Sequence, residues 1–294
     1  MRIKIITHPN DTSFHRIALD WIKLLRKMTD YVVVDEVNIL SDITILYPSF
    51  DILETFKFNK EKDGKIICID TSETDRVSTR MADLLNSKCD EVVTHTNWSK
   101  QGMMNGGVTK DIHVIPLGID YRKTSHADKI GFYITFITEH IIRKGTDLAL
   151  EVMKNLPSHK VLVKQYHTDF KLPWESVGWV EDIYKDFYSR INTLVHLPRG
   201  GGQELEVYEA LASGCRVIVP DHPLFDGLPV IRAKSRYIKK VILSYPLSLY
   251  HVGGGYEADV TDVLDKINKI HEYPLPNFNP PTKKDFLEHL ISMF

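Results

Sequence analysis

Residues Leu197–Val219 read LPRGGGQELEVYEALASGCRVIV, and this stretch decides the fold. An apolar strand end runs into three consecutive glycines, Gly200–Gly202. A helix follows with carboxylates at Glu204, Glu206 and Glu209, then a glycine stop and a second apolar strand. Glycines feeding a helix start let the backbone approach a ligand closely, with amide N–H groups and the helix dipole favouring an anion. Gly200, Gly201, Gly202 and Gln203 are therefore candidate anion-binding residues. Glu209, further into the helix, is placed to accept hydrogen bonds from sugar hydroxyls of a nucleotide whose phosphates rest on that turn. An ordinary strand–loop–helix–strand unit with Glu209 on a solvated face explains the same pattern.

The surrounding chain extends this unit in both directions. Strands are expected at Ile3–Thr7, Tyr31–Val34, Ile43–Leu46, Lys65–Asp70, Glu91–His95 and Ile112–Ile115, with helices at Phe14–Met28, Ser78–Asn86 and Asn97–Asn105. Asn97 or Ser99 reads as a helix cap. A second series has strands at Phe132–Ile137, Lys160–Tyr166, Thr193–Leu197 and Arg216–Val219. Its helices fall at Thr146–Lys154, Ile183–Ile191, Glu204–Ser213 and Ala258–Ile270. Apolar strands alternating with helices imply parallel sheets covered on both faces. Polar residues from about Asp120 to Lys129 read as a linker. The expected division is 1–125 and 126–281, with a last helix, Phe286–Met293, opened by a capping-box pattern at Thr282–Asp285.

Composition narrows the function classes. With 294 residues the chain is long enough for two cores, and a net charge of −2 gives no nucleic-acid surface. Cys68, Cys89 and Cys215 lie far apart without metal or redox spacing. They read as small buried thiols in a reducing compartment, which with the absence of a leader or membrane-length run places the chain in the cytoplasm. Scattered histidines make a metal site unexpected. The helix segment Trp21–Lys27 mixes bases with apolar residues, so it suits either core packing or a peripheral membrane contact.

Five fragments together resemble the retaining, nucleotide-sugar-dependent glycosyltransferases of the GT-B fold, in the group called family 4. They are Ile69–Arg76 (IDTSETDR), Val114–Asp120 (VIPLGID), Arg143–Val152 (RKGTDLALEV), Gly178–Gly202 and Tyr208–Val219 (YEALASGCRVIV). Their order and spacing agree from about residue 66 to 220. The resemblance implies two Rossmann-like domains facing across a cleft, with the last helix crossing back to the N-terminal one. It implies transfer of a sugar from a UDP-, GDP- or ADP-type donor to a hydroxyl acceptor, with retention and without metal or other cofactor.

Matched position by position, Lys144 stands at the family's diphosphate-binding lysine. Its partner arginine, five residues earlier, is here Glu139, so Arg143 takes over that charge or it is lost. Both also suit a solvated pair at a helix start. Trp179 and Val180 fall where the family's backbone reads the nucleobase, although Trp179 serves equally as a core anchor. The family has two glutamates eight positions apart. Glu209 matches the second, which holds the ribose, whereas the first falls on Gly201. Glu204 at the helix start is the candidate replacement, with an altered donor as one consequence. Loss of turnover is another, leaving a nucleotide-sugar- or glycan-binding protein. Asp70 and Glu73 in the turn DTSETD are candidates for orienting the acceptor, or belong to a capped turn.

Overall fold

A computed structural model describes residues 2–7, 13–28, 32–34, 40–121, 131–137, 141–166, 172–178 and 180–293. Most of the expected linker lies outside these residues, as do Glu139 and Trp179. The chain forms two compact units: residues 1–118 with 249–252 and 281–294, and residues 119–248 with 253–280.

Unit 1 carries β1 (Arg2–Thr7), α1 (Ser13–Met28), β2 (Val32–Val34), β3 (Ile43–Tyr47), α2 (Ser49–Thr55), α3 (Lys60–Asp63), β4 (Lys65–Ile69), α4 (Thr79–Lys88), β5 (Glu91–Thr94), α5 (Asn97–Asn105) and β6 (Ile112–Val114). The strands form a parallel sheet in the order β2-β1-β3-β4-β5-β6. The Ile and Val side chains of β1, β3, β4 and β5 are buried, as parallel strands covered by helices require. The apolar side of α1 packs inward: Trp21, Ile22 and Leu25 are buried, which agrees with core packing of Trp21–Lys27. Lys23, Arg26 and Lys27 remain on the exposed side. Trp21 stacks on Phe286 with ring centroids 4.9 Å apart. One helix, α11 (Lys283–Ile291), is begun by the expected capping box, in which Thr282 Oγ1 accepts from Asp285 N–H at 3.1 Å and Thr282 N–H donates to the Asp285 carboxylate at 2.7 Å. Among the described residues no helix is long and apolar enough to cross a membrane.

Two expectations change in unit 1. The cap of α5 is Thr96, whose hydroxyl accepts from Ser99 N–H at 3.1 Å; Asn97 and Ser99 already lie inside the helix. More consequentially, Cys68 and Cys89 are joined in a disulfide, with Cα atoms 6.1 Å apart across 21 residues. Cys68 sits in β4 and Cys89 ends the helix that returns beside it, so the βαβ crossover unites residues remote in sequence. With Cys68 and Cys89 bridged, these cysteines no longer read as thiols of a reducing compartment. Cys215 is the free, buried cysteine.

Unit 2 carries β7 (Gly131–Ile137), α6 (Thr146–Lys154), β8 (Val161–Tyr166), β9 (Glu175–Val177), α7 (Ile183–Asp186), β10 (Ile191–Val195), α8 (Leu205–Ala212), β11 (Arg216–Pro220) and β12 (Ile231–Ala233). All six strands are parallel, in the order β12-β11-β10-β7-β8-β9. Counted along the unit this is the doubly wound order in which the chain starts at the centre and winds outward both ways. A hairpin of β13 (Ser235–Ile238) and β14 (Gly255–Ala258) follows. Between its strands the chain carries α9 (Leu247–Tyr250), of which Leu249 and Tyr250 belong to unit 1, and α10 (Val260–Asn268) comes after β14. Its core joins Val152 and Met153 of α6, Val161 and Val163 of β8, Val195, Ile218, and Val263 and Ile267 of α10. The helix expected over Ile183–Ile191 is shorter: α7 stops at Asp186, Tyr188–Arg190 form a 3-10 turn, and Ile191 already begins β10.

Candidate functional site

In unit 2 the strand order reverses between β7 and β10, and open α/β sheets bind ligands outside the carboxyl ends of their strands at such a point. Two turns converge there: residues 141–145, leading from β7 to α6, and residues 196–204, leading from β10 to α8. Gly145 joins them. It has φ +64°, and a Cβ on it would lie 1.7 Å from the Leu197 carbonyl oxygen, so the two backbones touch where only glycine fits.

Arg199 fastens the turns together. Its guanidinium holds Asp147 through two bonds of 2.7 and 2.8 Å, and its Nε donates to Glu257 at 2.8 Å. Nη1 also donates to the Ile142 carbonyl at 2.6 Å, while Arg199 N–H donates to the Arg143 carbonyl at 2.7 Å. A planar fork meeting carboxylates in this way fixes orientation as well as charge. The basic loop is thus bound to α6, to the exit of β10 and to β14.

Inside the clamp lies a buried polar nest. The Lys144 ammonium donates to Glu204 Oε2, which also receives His196 Nε2 at 2.7 Å. Glu204 Oε1 is 3.8 Å from Arg143 Nη1. Burial alone raises a carboxyl pKa, but Lys144, His196 and Arg143 overcome it and hold Glu204 well below the usual range. Burial likewise disfavours the Lys144 charge, yet Glu204 and Glu206 keep its pKa above the ordinary value. Both groups remain charged. Gly201 explains why the nest fits: a Cβ there would stand 2.2 Å from Glu204 Oε1. The Glu204 carboxylate therefore occupies the space that a side chain at 201 would claim. Glu204 is the N-cap residue of α8 but makes no side-chain cap bond, so it is committed to Lys144 and His196 instead.

Gly200, Gly201 and Gly202 are buried and Gln203 half-buried beside this nest. Glu209, one turn into α8, accepts from the Tyr188 hydroxyl at 2.9 Å through Oε2. The Tyr184 ring lies 5.8 Å from that of Tyr188. Its buried hydroxyl has no hydrogen-bond partner among the described residues. Burial, then Glu209, Asp120 and Asp182, push the Tyr184 phenol far above its ordinary pKa, so it stays a proton donor. On β8, Lys164 donates to the Gly178 carbonyl. Burial lowers the Lys164 pKa to about 8.

His196, Glu204 and Glu206 bring their ligand atoms within 4.8 Å of one another. A cation there would compete with Lys144 and His196 for the same Glu204 oxygen. The nest as built already has its counter-charge, and the donor set fits an ammonium better than a metal.

In unit 1 the two candidates separate. Asp70 is buried, and its Oδ2 accepts from Ser49 N–H at 3.0 Å, Ser49 Oγ–H at 2.7 Å and Phe50 N–H at 3.0 Å. Its Oδ1 takes Thr71 N–H at 2.8 Å. The carboxylate thereby caps the start of α2 from across the sheet. Burial outweighs these bonds and raises its pKa to about 6. Glu73 is half-buried, with its N–H directed at His251 Nδ1 at 3.4 Å.

His196, Arg199, Tyr184, Tyr188 and Lys164 escaped the sequence reading. His196 and Arg199 left a signal: His196 immediately precedes the decisive stretch and Arg199 lies within it, as polar residues flanking Leu197–Pro198 at the end of an apolar strand. Lys164 and the tyrosines left none, because their roles depend on contacts remote in sequence.

No protein-family model matches the chain. A protein of Sulfolobus islandicus filamentous virus (isolate Iceland/Hveragerdi), provisionally named glycosyltransferase 45, is 26% identical over 319 residues, covering 100% of this chain and 89% of the viral one. Among solved structures, HepE of Anabaena in complex with UDP and glucose superposes with a TM-score of 0.69 at 10% identity, over 99% of this chain and 98% of HepE. The lipopolysaccharide outer core galactosyltransferase WaaB, in its apo form, gives a TM-score of 0.59 at 12% identity over the whole of both chains. With the two parallel sheets, these likenesses show the GT-B fold and its two Rossmann-like domains.

Proposed function

We propose that the chain is a glycosyltransferase that moves a sugar from a nucleoside-diphosphate donor to a hydroxyl acceptor, retaining the anomeric configuration and using no metal. One observation carries the reading. At the point where the unit 2 sheet reverses, a buried carboxylate fills the space beside Gly201, where the resembled family has its first glutamate. The same carboxylate is held on the lysine that matches the family's diphosphate-binding one.

The donor diphosphate is assigned to Lys144, Arg143 and the backbone of Gly200–Gly202 and Gln203. Glu209 holds the ribose, and the Tyr184 hydroxyl donates to the same nucleoside. Glu204 Oε1 accepts from a sugar hydroxyl, while Trp179 and Val180 border the base. In the transfer, the bond from the anomeric carbon to the β-phosphate oxygen breaks and a bond to the acceptor oxygen forms. The acceptor proton passes to the departing phosphate. Lys144 and Arg143 stabilise the charge that grows on that phosphate, which is where preorganised cations act most strongly. Glu73 is assigned to the acceptor hydroxyl. Asp70, with four donors already bound, positions the turn that carries Glu73. The UDP and UDP-glucose complexes of HepE favour a UDP-sugar as donor.

A thermal-shift screen of nucleoside diphosphates and nucleotide sugars tests this directly. Ligand at a hundred times Kd stabilises by about 2.7 kcal/mol, a plain shift in Tm. UDP and a UDP-sugar are expected to give it, and Glu209→Ala to lose most of it. No shift with any nucleotide would overturn the reading. Donor binding without nucleoside diphosphate release, whatever the acceptor, would identify a binding protein that has lost turnover.

A further inference from the structure

Unit 1 has a cavity of about 650 Å³ near the amino ends of β4, β5 and β6, opposite the strand ends where α/β sheets bind their substrates. Four lysines line it: Lys57, Lys60, Lys88 and Lys110. The opposing charge is small. Asp90 is the lining carboxylate, and its Oδ2 already accepts from Ile66 N–H at 2.8 Å, while Oδ1 lies 3.8 Å from Lys60 Nζ. Glu54, near enough to feel Lys88, is held by Arg80 at 2.6 Å. Lys88 donates to the Leu53 carbonyl and Lys60 pairs loosely with Asp90, while Lys57 and Lys110 keep their reach.

One wall is apolar. Phe56 and Phe58 are half-buried there with ring centroids 4.8 Å apart. Cys89, tied by the disulfide to β4, forms another part of the lining and fixes the end of α4 on which Lys88 sits. Several ammonium groups around a concave space suit an anion with more than one charged oxygen, and aromatic faces suit an apolar group attached to it. The volume falls in the range of small-molecule sites, about 300–1,000 Å³.

We propose that this cavity binds a phosphate monoester carrying an apolar group, with the phosphate among the lysines and the apolar group against Phe56 and Phe58. The proposal is independent of the donor site, because none of the residues assigned there lines the cavity. Such a group arises on a free metabolite or on a lipid headgroup, and the two sources separate experimentally.

Calorimetric titration of the whole chain with phenyl phosphate and with inorganic phosphate examines the first source. Flotation with phosphatidic acid vesicles, against phosphatidylcholine vesicles, examines the second. Lys57 and Lys110 have no ion pair or hydrogen bond among the described residues, so Lys57→Gln/Lys110→Gln is expected to melt as the wild type does without ligand. It is expected to bind the probe at least about tenfold more weakly, the scale of a lost charge-assisted hydrogen bond. Lys60→Gln serves as a second variant should the double one melt early. Phenyl phosphate binding that falls in the variant supports a free ligand. Lysine-dependent flotation on phosphatidic acid alone supports a lipid one. Binding of neither probe, binding unchanged in the variants, or phenyl phosphate displaced by UDP would overturn the proposal. Inorganic phosphate binding as tightly as phenyl phosphate would overturn the part played by the phenylalanines.

Discussion

Gly201 shows how much one absent side chain decides. Its Cα faces Glu204 Oε1 so closely that even a methyl group collides. Gly201→Ala is expected to cost about 1–3 kcal/mol of stability, the usual penalty of overpacking. In a Glu204→Ala background the same change is expected to cost much less, and denaturant unfolding of the four proteins in this cycle measures the coupling. Equal costs in both backgrounds would mean that the two residues do not share one volume. His95 makes a second prediction at this scale. It is buried at the end of β5, its Nδ1 is 3.0 Å from the Ile115 carbonyl, and Nε2 has no partner among the described residues. Burial lowers its pKa from 6.5 to about 4. Between these values the unfolded chain takes up a proton and the folded one does not, so stability falls as pH drops through the window. Asp70 works the other way: its pKa rises from 3.8 to about 6, and its contribution falls as pH increases between them. His95→Gln is therefore expected to make the acid limb of stability against pH shallower, by up to about 1.4 kcal/mol per pH unit. An unchanged limb would show that His95 is already protonated in the folded state.

At the scale of elements, the candidate site depends on how the loop before α6 is held. Arg199 ties that loop to α6, to the exit of β10 and to β14, and Gly145 lets it lie against β10. Arg199→Lys keeps a charge but loses the fork that grips Asp147. Arg199 is buried but the Asp147 carboxylate is partly open to solvent, so the lost fork is expected to cost about 1.5–3 kcal/mol, the scale of a hydrogen bond to a charged group. The accompanying expectation is weaker nucleoside diphosphate binding, read by thermal shift, because Lys144 loses its fixed approach. Destabilisation with unchanged nucleotide affinity would restrict Arg199 to a structural role. The elements themselves were largely legible in the sequence. Parallel strands buried on both faces announce themselves as runs of Ile and Val, and the capping box at Thr282–Asp285 signals α11 through four consecutive residues. The short pieces were not legible. The α7 turn, the 3-10 turn at Tyr188–Arg190 and the β13–β14 hairpin carry no long apolar period, and tertiary contacts decide where each one ends.

Across the whole molecule, each unit has its own sheet and core, and the disulfide belongs to unit 1 alone. Denatured without reductant, the protein is expected to show one reactive thiol, and after reduction three. Reduction is expected to lower the stability of unit 1 by about 3 kcal/mol, the chain-entropy scale for a loop of this length, visible by calorimetry. Three thiols in both conditions would remove the bridge from the account. The sequence by itself determined the two α/β series, the glycine turn at the start of α8, and the residue types gathered there, because backbone preference and apolar period act over neighbouring residues. Only the tertiary structure decided that Cys68 meets Cys89 and that Asp70 caps α2. It also decided that Glu204 fills the volume beside Gly201, with Lys144 and His196 upon it. These pairings join residues far apart along the chain or depend on how side chains share a buried space. They form only once the parallel crossovers bring separate turns to the same end of a sheet.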